Sequence, residues 1–347
     1  MSREDVAAVA RTLLYEGYLL YPYRPSSVKN RQRFNFGVIY PERHNRGQDA
    51  VDPWLMQTEC LVLGEADPVV DVEVGFLHLV TRTILLTPDA GATEPAEVDR
   101  LVVGDRVYQT WQEAVERRVR VERLALAELA ALDGRIATRP FAFPDTDERE
   151  PIPAPGGGTA GFIRRRQTAI AGEIQVEVRP AAANCAVVGV RIMNRTDARP
   201  DPARREDVLA RCLVSAHTIL TVEQGEFVSL LDPPEELRQV AAECRNLNTW
   251  PVLAGTAPAR DTMLSSPIIL YDYPEIAPES AGDLFDGTEI DEILSLRIMT
   301  LSDDERREIA QSDERARLLL ERTESLAAEQ LMSLHGVMRP GGRGRRG

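Results

Sequence analysis

The sequence has few of the residues and motifs by which many protein classes are recognised. Its four cysteines are widely separated and form no Cys-x-x-Cys pair: Cys60, Cys185, Cys212 and Cys244. This spacing argues against a disulfide framework or a zinc site, so we expect reduced and mostly buried thiols. The sequence has no apolar run long enough to cross a bilayer, which predicts no membrane span. The N-terminus places Glu4 and Asp5 before its apolar part and lacks a small-residue cleavage site, so we expect a cytoplasmic protein.

Lysine is almost absent, because Lys29 is the single lysine among 41 cationic residues and the others are arginines. The chain has 55 acidic residues and a formal net charge of −14. Such a surplus of negative charge repels the phosphates of nucleic acids. We therefore expect no nucleic-acid partner for the body of the protein.

Histidine is also scarce, and the four histidines are scattered: His44, His78, His217 and His335. The sequence has no His-Glu-x-x-His motif, no Gly-x-Ser-x-Gly motif and no Gly-x-Gly-x-x-Gly motif after a predicted strand. His78 falls on an apolar strand face, which is typical of a core histidine. We expect no metal, no cofactor and no catalytic residue, and an enzyme is less expected than a binding protein.

Alternating apolar residues predict β-strands through much of the chain. Residues 174–178 and 188–192 alternate cleanly between apolar and other side chains. Leu213–Val222 and Phe227–Leu231 flank a short Glu-Gln-Gly-Glu turn, which predicts a hairpin. We predict an α+β protein that is mostly antiparallel β, with an N-terminal sheet, a β-sandwich-like middle, an N-terminal helix and C-terminal helices.

The stretch PDTDEREPIPAPGGGTAG, residues 144–161, predicts a linker because its prolines and glycines disfavour helices and sheet ladders. A phosphate-binding loop of the Gly-Lys type is excluded here because the stretch has no lysine. The predicted division is an α+β domain at 1–143, the linker at 144–161, a β-sandwich-like domain at 162–250, an acidic segment with C-terminal helices at 251–338, and a disordered Arg/Gly tail at 339–347.

The stretch from Leu264 to Leu301 is the least ordinary part of the sequence, because apolar residues alternate with carboxylates where a loop should be polar. A calcium loop is excluded, because counting back from Gly287 puts Gly282 and Leu284 at ligand positions. An acidic loop with a strand or short helix explains the pattern, and so does a surface that binds another protein. The candidate partner-binding residues are Tyr271, Tyr273, Asp283, Leu284, Phe285, Asp286, Ile290 and Asp291.

A local basic cluster near the N-terminus is a candidate anion site, formed by Arg24, Lys29, Arg31 and Arg33. A rival hypothesis follows from it: an enzyme that holds a small anionic substrate on these residues and uses Asp272 or Asp283 as its acid–base group. A third possibility is a β-sandwich module that binds a sugar or another ligand.

Two long strings, Leu13–Pro41 and Arg260–Glu305, resemble an accessory protein encoded with actinobacterial-type, oxygen-tolerant nickel–iron hydrogenases. The resemblance implies a cytoplasmic role in hydrogenase assembly, maturation or scaffolding, with a hydrogenase subunit or another accessory protein as the partner. It brings no catalytic residue. Maturation proteins that handle metals usually carry clusters of cysteine or histidine, and their absence from this sequence argues against direct metal delivery.

Overall fold

Antiparallel strands dominate the structure, which confirms the prediction of a mostly antiparallel β protein. This computed structural model describes Val6, Glu321 and residues 8–11, 37–45, 52–64, 67–87, 95–132, 136–182, 184–197 and 205–275. Val6 and residues 8–11 are helical, and the other residues of the predicted N-terminal helix lie outside this description. The predicted C-terminal helices and the predicted Arg/Gly tail also lie outside it, apart from Glu321, which is helical.

The described strands follow in chain order as β1 Leu55–Leu63, β2 Val69–Leu86, β3 Glu97–Val98, β4 Arg100–Val103, β5 Arg106–Gln109, β6 Trp111–Ala125, β7 Ile136–Phe143, β8 Thr146–Pro153, β9 Thr159–Gln167, β10 Ile170–Ala182, β11 Cys185–Asn194, β12 Val214–Glu223, β13 Glu226–Val228, β14 Trp250–Leu253 and β15 Thr262–Ser266. The described helices are α1 Leu126–Ala131, α2 Arg205–Leu209 and α3 Arg238–Glu243, with short 3-10 helices at Glu42–Asn45 and Glu235–Leu237.

The strands in the described part of the chain form two main sheets. The smaller sheet has five strands in the order β13-β1-β11-β10-β7. The larger sheet has the order β14-β15-β12-β2-β9-β8, and both β3 and β6 also pair with β2. Strands β4 and β5 form a separate two-stranded ribbon. The long strand β2 therefore organises the larger sheet, because it pairs with four other strands along its length.

One hydrophobic cluster receives side chains from both main sheets. Alternation gives β2 and β10 one apolar face each, and these faces supply buried residues to the same cluster. Fully burying a side chain of this size contributes about 1.5–3 kcal/mol. The buried residues from these two strands are Val70, Val72, Val74, Phe76, Ile170, Ile174, Val176 and Val178.

The prediction of a linker at residues 144–161 was wrong. Strands β8 and β9 pair with each other across most of this stretch, from Thr146 opposite Gln167 to Pro153 opposite Thr159. Among the described strands, β8 has one neighbour, β9. Pro151 and Pro153 are tolerated there because an edge strand does not need every backbone N–H for pairing. The glycines make the turn, where Gly157 and Gly158 have positive φ values of 92° and 84°.

Strands on either side of the predicted boundary occupy the same sheets. From the predicted 1–143 domain, β1 pairs with β11 and β7 pairs with β10, while β2 pairs with β12. The described strands of this predicted domain and of the predicted 162–250 domain therefore fold together around one core.

The hairpin predicted near β12 also differs from the structure. Strands β12 and β13 follow each other through the Glu-Gln-Gly-Glu turn, but β12 pairs with β2 and β15 while β13 pairs with β1. The turn therefore carries the chain from one sheet to the other and does not close a hairpin. Further along the chain, β14 pairs with β15.

Candidate functional site

The described part of the predicted partner-binding stretch is the edge segment, residues 267–275, which runs beside strand β14. The segment leaves β15 after Ser266, which pairs with Trp250 at the start of β14. It returns at the other end of β14, where the backbone N–H of Tyr273 donates to the carbonyl oxygen of Leu253 at 2.6 Å. The backbone is therefore fixed at both ends of β14.

Side chains of the edge segment alternate between the protein and the solvent. Ile268 and Leu270 pack against a small apolar cluster that contains Val6 and Leu264. Ile269 is 72% exposed, and Tyr271 is 87% exposed. The same alternation that anchors the segment thus displays two large apolar side chains.

Asp272 fixes the edge segment to two neighbouring parts of the chain. Its Oδ1 accepts a hydrogen bond from the backbone N–H of Leu253 at 2.8 Å, and its Oδ2 accepts one from Oγ of Ser229 at 2.5 Å. Both carboxylate oxygens are engaged in holding loops. This geometry gives no support to the predicted acid–base role of Asp272, because both of its carboxylate oxygens already accept hydrogen bonds from the protein.

Tyr273 differs from its predicted place on an exposed surface. Its side chain is partly buried and packs against the core cluster shared by the two sheets. Its φ of 57° lies in the left-handed region, which a bulky residue adopts only when surrounding contacts hold it there. Tyr273 is therefore an anchor of the segment, whereas Tyr271 is displayed by it.

The other predicted site residues lie outside the described part of the chain. These are Asp283, Leu284, Phe285, Asp286, Ile290 and Asp291 of the partner-binding set, and Arg24, Lys29, Arg31 and Arg33 of the anion-binding set.

A cavity of about 170 Å³ lies on the outer face of the larger sheet, beside Val6. Glu73 of β2 projects into it and is paired with two arginines of β6, Arg118 at 3.5 Å and Arg120 at 2.6 Å. Its remaining polar lining includes Asp71 and Glu122. Sequence reasoning missed this cluster, although the alternation of charged residues with valine in β6 was the signal for one polar face.

The two described strand histidines are buried, as predicted for His78. The Nε2 of His78 donates to the carbonyl oxygen of Thr168 at 2.8 Å, which leaves Nδ1 unprotonated. Burial lowers the pKa of His78, and the nearby Arg117 lowers it further. Burial likewise lowers the pKa of His217, whose ring occupies the space that a Cβ on Gly75 would fill. In both residues, burial favours the neutral imidazole.

An ion-pair row crosses the inner face of the larger sheet near Arg82. Glu113 of β6 bridges two arginines, with Oε1 at 3.2 Å from Arg82 and Oε2 at 2.9 Å from Arg165. Arg165 also contacts Glu150 of β8 at 2.8 Å. Arg82 is buried, so the carboxylate of Glu113 compensates a charge that has little access to water.

The prediction of reduced and mostly buried cysteines is confirmed, because all four are free and three are buried. Burial raises the pKa of the Cys60, Cys185 and Cys212 thiols, and it raises that of Cys244 to about 11. Protonated thiols are poor nucleophiles and poor metal ligands. Within the described ranges, no group of three or more His, Cys, Asp or Glu side chains is arranged to hold a metal ion.

Comparison of the chain with protein-family models and with curated proteins gives no match. In the part of the chain that the structure describes, no helix combines the length and the apolar character that crossing a bilayer requires.

Proposed function

We propose that this chain is a non-catalytic, cytoplasmic accessory protein that assists the assembly or maturation of a nickel–iron hydrogenase by binding a subunit or another accessory protein. The observation that carries the proposal is the edge segment, where Tyr271 is 87% exposed between anchored neighbours. An aromatic side chain on a fixed backbone has little conformational freedom left to lose on binding. The resemblance of Arg260–Glu305, which contains this segment, supports the choice of partner.

We further infer that the two main sheets form a β-sandwich-like scaffold. The support is the apolar cluster to which β1, β10 and β11 of the smaller sheet and β2, β12 and β15 of the larger sheet all contribute. A scaffold of this kind holds its loops and edge segments in fixed positions, which suits a binding protein.

Binding to purified hydrogenase subunits tests the proposal. Tyr271→Ser and Ile269→Ser remove exposed apolar side chains without touching the core, so we expect each to weaken binding by about tenfold. Val102→Ser is the matched control, because Val102 is also exposed but lies on the β4–β5 ribbon. A further variant changes Leu284, Phe285 and Ile290 to Ser and tests the remaining apolar residues of the predicted set.

The outcomes separate the parts of the proposal. If no purified subunit or accessory protein of the hydrogenase binds the unmodified chain, the proposed function is wrong. If binding occurs but is equal for Tyr271→Ser, Ile269→Ser and Val102→Ser, the edge segment is not the contact. Equal binding after the triple change removes Leu284, Phe285 and Ile290 from the interface.

A further inference from the structure

Two loops meet beside the edge segment through a single serine. The Oγ of Ser229 donates to Oδ2 of Asp272 at 2.5 Å. The same oxygen accepts hydrogen bonds from the backbone N–H groups of Leu231 at 3.2 Å and Asp232 at 3.0 Å. Because Ser229 is buried, this bond ties residues 229–232 to the edge segment from beneath the surface.

The tie links two loops from distant parts of the sequence, and each loop carries an exposed apolar side chain. Leu231 is 55% exposed and lies two residues after Ser229, while Tyr271 immediately precedes Asp272. We call these two loops, residues 229–232 and 267–275, the tied patch. Its apolar residues are therefore presented by two loops whose relative position depends on the Ser229–Asp272 bond.

Carboxylates, and no cations, accompany the apolar residues of the tied patch. Asp232 and Glu275 are exposed, and Asp272 is partly exposed. Neither of the two loops contains a lysine, an arginine or a histidine. A partner that covers this surface gains from positive charge at its rim, where charge complementarity steers association and disfavours acidic surfaces.

The backbone of β14 offers no ladder for an incoming strand. Pro251 has no N–H to donate, and the N–H and C=O of Leu253 are already bonded to Asp272 and Tyr273. Strand addition, which needs consecutive free backbone groups, is therefore blocked at this edge. Recognition must use side chains.

We propose that the tied patch binds a protein surface with an apolar pocket rimmed by arginine or lysine, and that Ser229 and Asp272 are positioning residues for Leu231 and Tyr271. The proposal rests on the proposed function, since it names the surface that the hydrogenase subunit or accessory protein presents. A second copy of this chain is disfavoured, because its own patch is acidic.

The test measures the dissociation constant for the purified hydrogenase partner as a function of salt, from about 50 to 500 mM, which spans strong and weak screening. We expect binding by the unmodified chain to weaken as salt rises. Leu231→Ser should weaken binding about tenfold. Leu132→Ser is the matched control, because Leu132 has similar exposure at the end of α1 and should bind normally.

Three further variants separate positioning from charge. Ser229→Ala breaks the tie but keeps every carboxylate, so we expect weaker binding with an unchanged salt dependence. Glu275→Gln removes charge but leaves the tie, so the salt dependence should become shallower. Asp272→Asn should do both. Circular dichroism and the thermal midpoint confirm that each variant is folded before binding is compared.

Several outcomes would overturn this inference while leaving the proposed function standing. One is a partner that binds with the same affinity to Leu231→Ser and Leu132→Ser. Another is affinity that does not change with salt. A dimer in light scattering that Leu231→Ser dissociates would assign the patch to a second copy. Finally, deletion of residues 339–347 could raise the affinity for the partner several-fold. That result would show that the chain's own arginines in these residues occupy the tied patch.

Discussion

One face of strand β2 is turned toward the protein interior. The neighbours of this face differ between the first and the second half of the strand. In its first half, Val72, Val74 and Phe76 face the smaller sheet and join the large shared cluster. In its second half, Ile84 belongs to a small cluster with Ile152 and Ile163 of the same sheet. Between them, the face carries His78 and Arg82. At His78 and Arg82, a hydrogen bond and an ion pair accompany the buried apolar area, and these contribute less per residue.

The largest loss of stability is expected for a substitution in the first half of β2. Phe76→Ala should lower the free energy of unfolding by about 3–5 kcal/mol, because it leaves a cavity between the two sheets. Urea denaturation followed by fluorescence measures the change. Val115→Ala on β6 is the control and should stay within about 0.5 kcal/mol, since Val115 is already 38% exposed. A loss below about 1 kcal/mol for Phe76→Ala would contradict a tightly packed shared core.

The second largest loss of stability is expected in the ion-pair row. Glu113→Gln removes the carboxylate shared by Arg82 and Arg165 and should destabilise by about 2 kcal/mol, because Arg82 is buried. The same denaturation experiment measures it. The double variant Arg82→Met with Glu113→Leu should recover much of the loss, since it removes both charges. A double variant less stable than Glu113→Gln would show that the row stabilises the fold beyond charge compensation.

Lowering the pH should destabilise the fold through His78, which lies in the middle of β2. The pKa of His78 is lowered in the folded protein, so the unfolded chain takes up protons first as pH falls below about 6.5. Stability is therefore complete at neutral pH and is lost as pH falls from about 6.5 toward the lowered pKa of the folded state. His217 acts in the same direction. His78→Gln keeps a donor toward Thr168 without titrating, so its stability between pH 7 and 5 should fall less steeply; an identical slope would contradict this role.

The smallest effect is expected at the solvent-exposed edge of the larger sheet. Arg164 of β9 pairs with Asp147 of β8 and lowers the pKa of that carboxyl. The stabilisation is present above the pKa of an unfolded Asp and is lost as pH falls through the lowered value. Because the pair is exposed, Arg164→Gln should change stability by no more than about 0.5 kcal/mol at neutral pH. A change above 1 kcal/mol would place this pair with the ion-pair row.

Much of the strand content was predictable because one face of each strand is buried. The alternation of Ile174, Val176 and Val178 places these residues in the shared cluster, and His78 follows the same rule. The hairpin at β12–β13 was predicted wrongly because a short turn fixes sequence neighbours but not sheet partners. Tertiary pairing decided that β13 lies beside β1.

The linker prediction failed because residue composition does not show whether a strand has one neighbour or two. Proline excludes a central strand, but β8 lies at an edge, where Pro151 and Pro153 fit. At the candidate site, the sequence indicated that Tyr271 is exposed, but it did not indicate that hydrogen bonds hold Asp272 in place. Its partner Ser229 lies 43 residues away, and only the fold brings the two together.

The separation of paired strands along the chain has a consequence for synthesis on the ribosome. Strand β1 ends at Leu63, whereas its neighbour β11 begins at Cys185. At about 5–20 residues per second, the nascent β1 waits on the order of ten seconds before β11 is translated. During that interval the side of β1 that pairs with β11 has no native partner, so its open backbone groups are available to other chains.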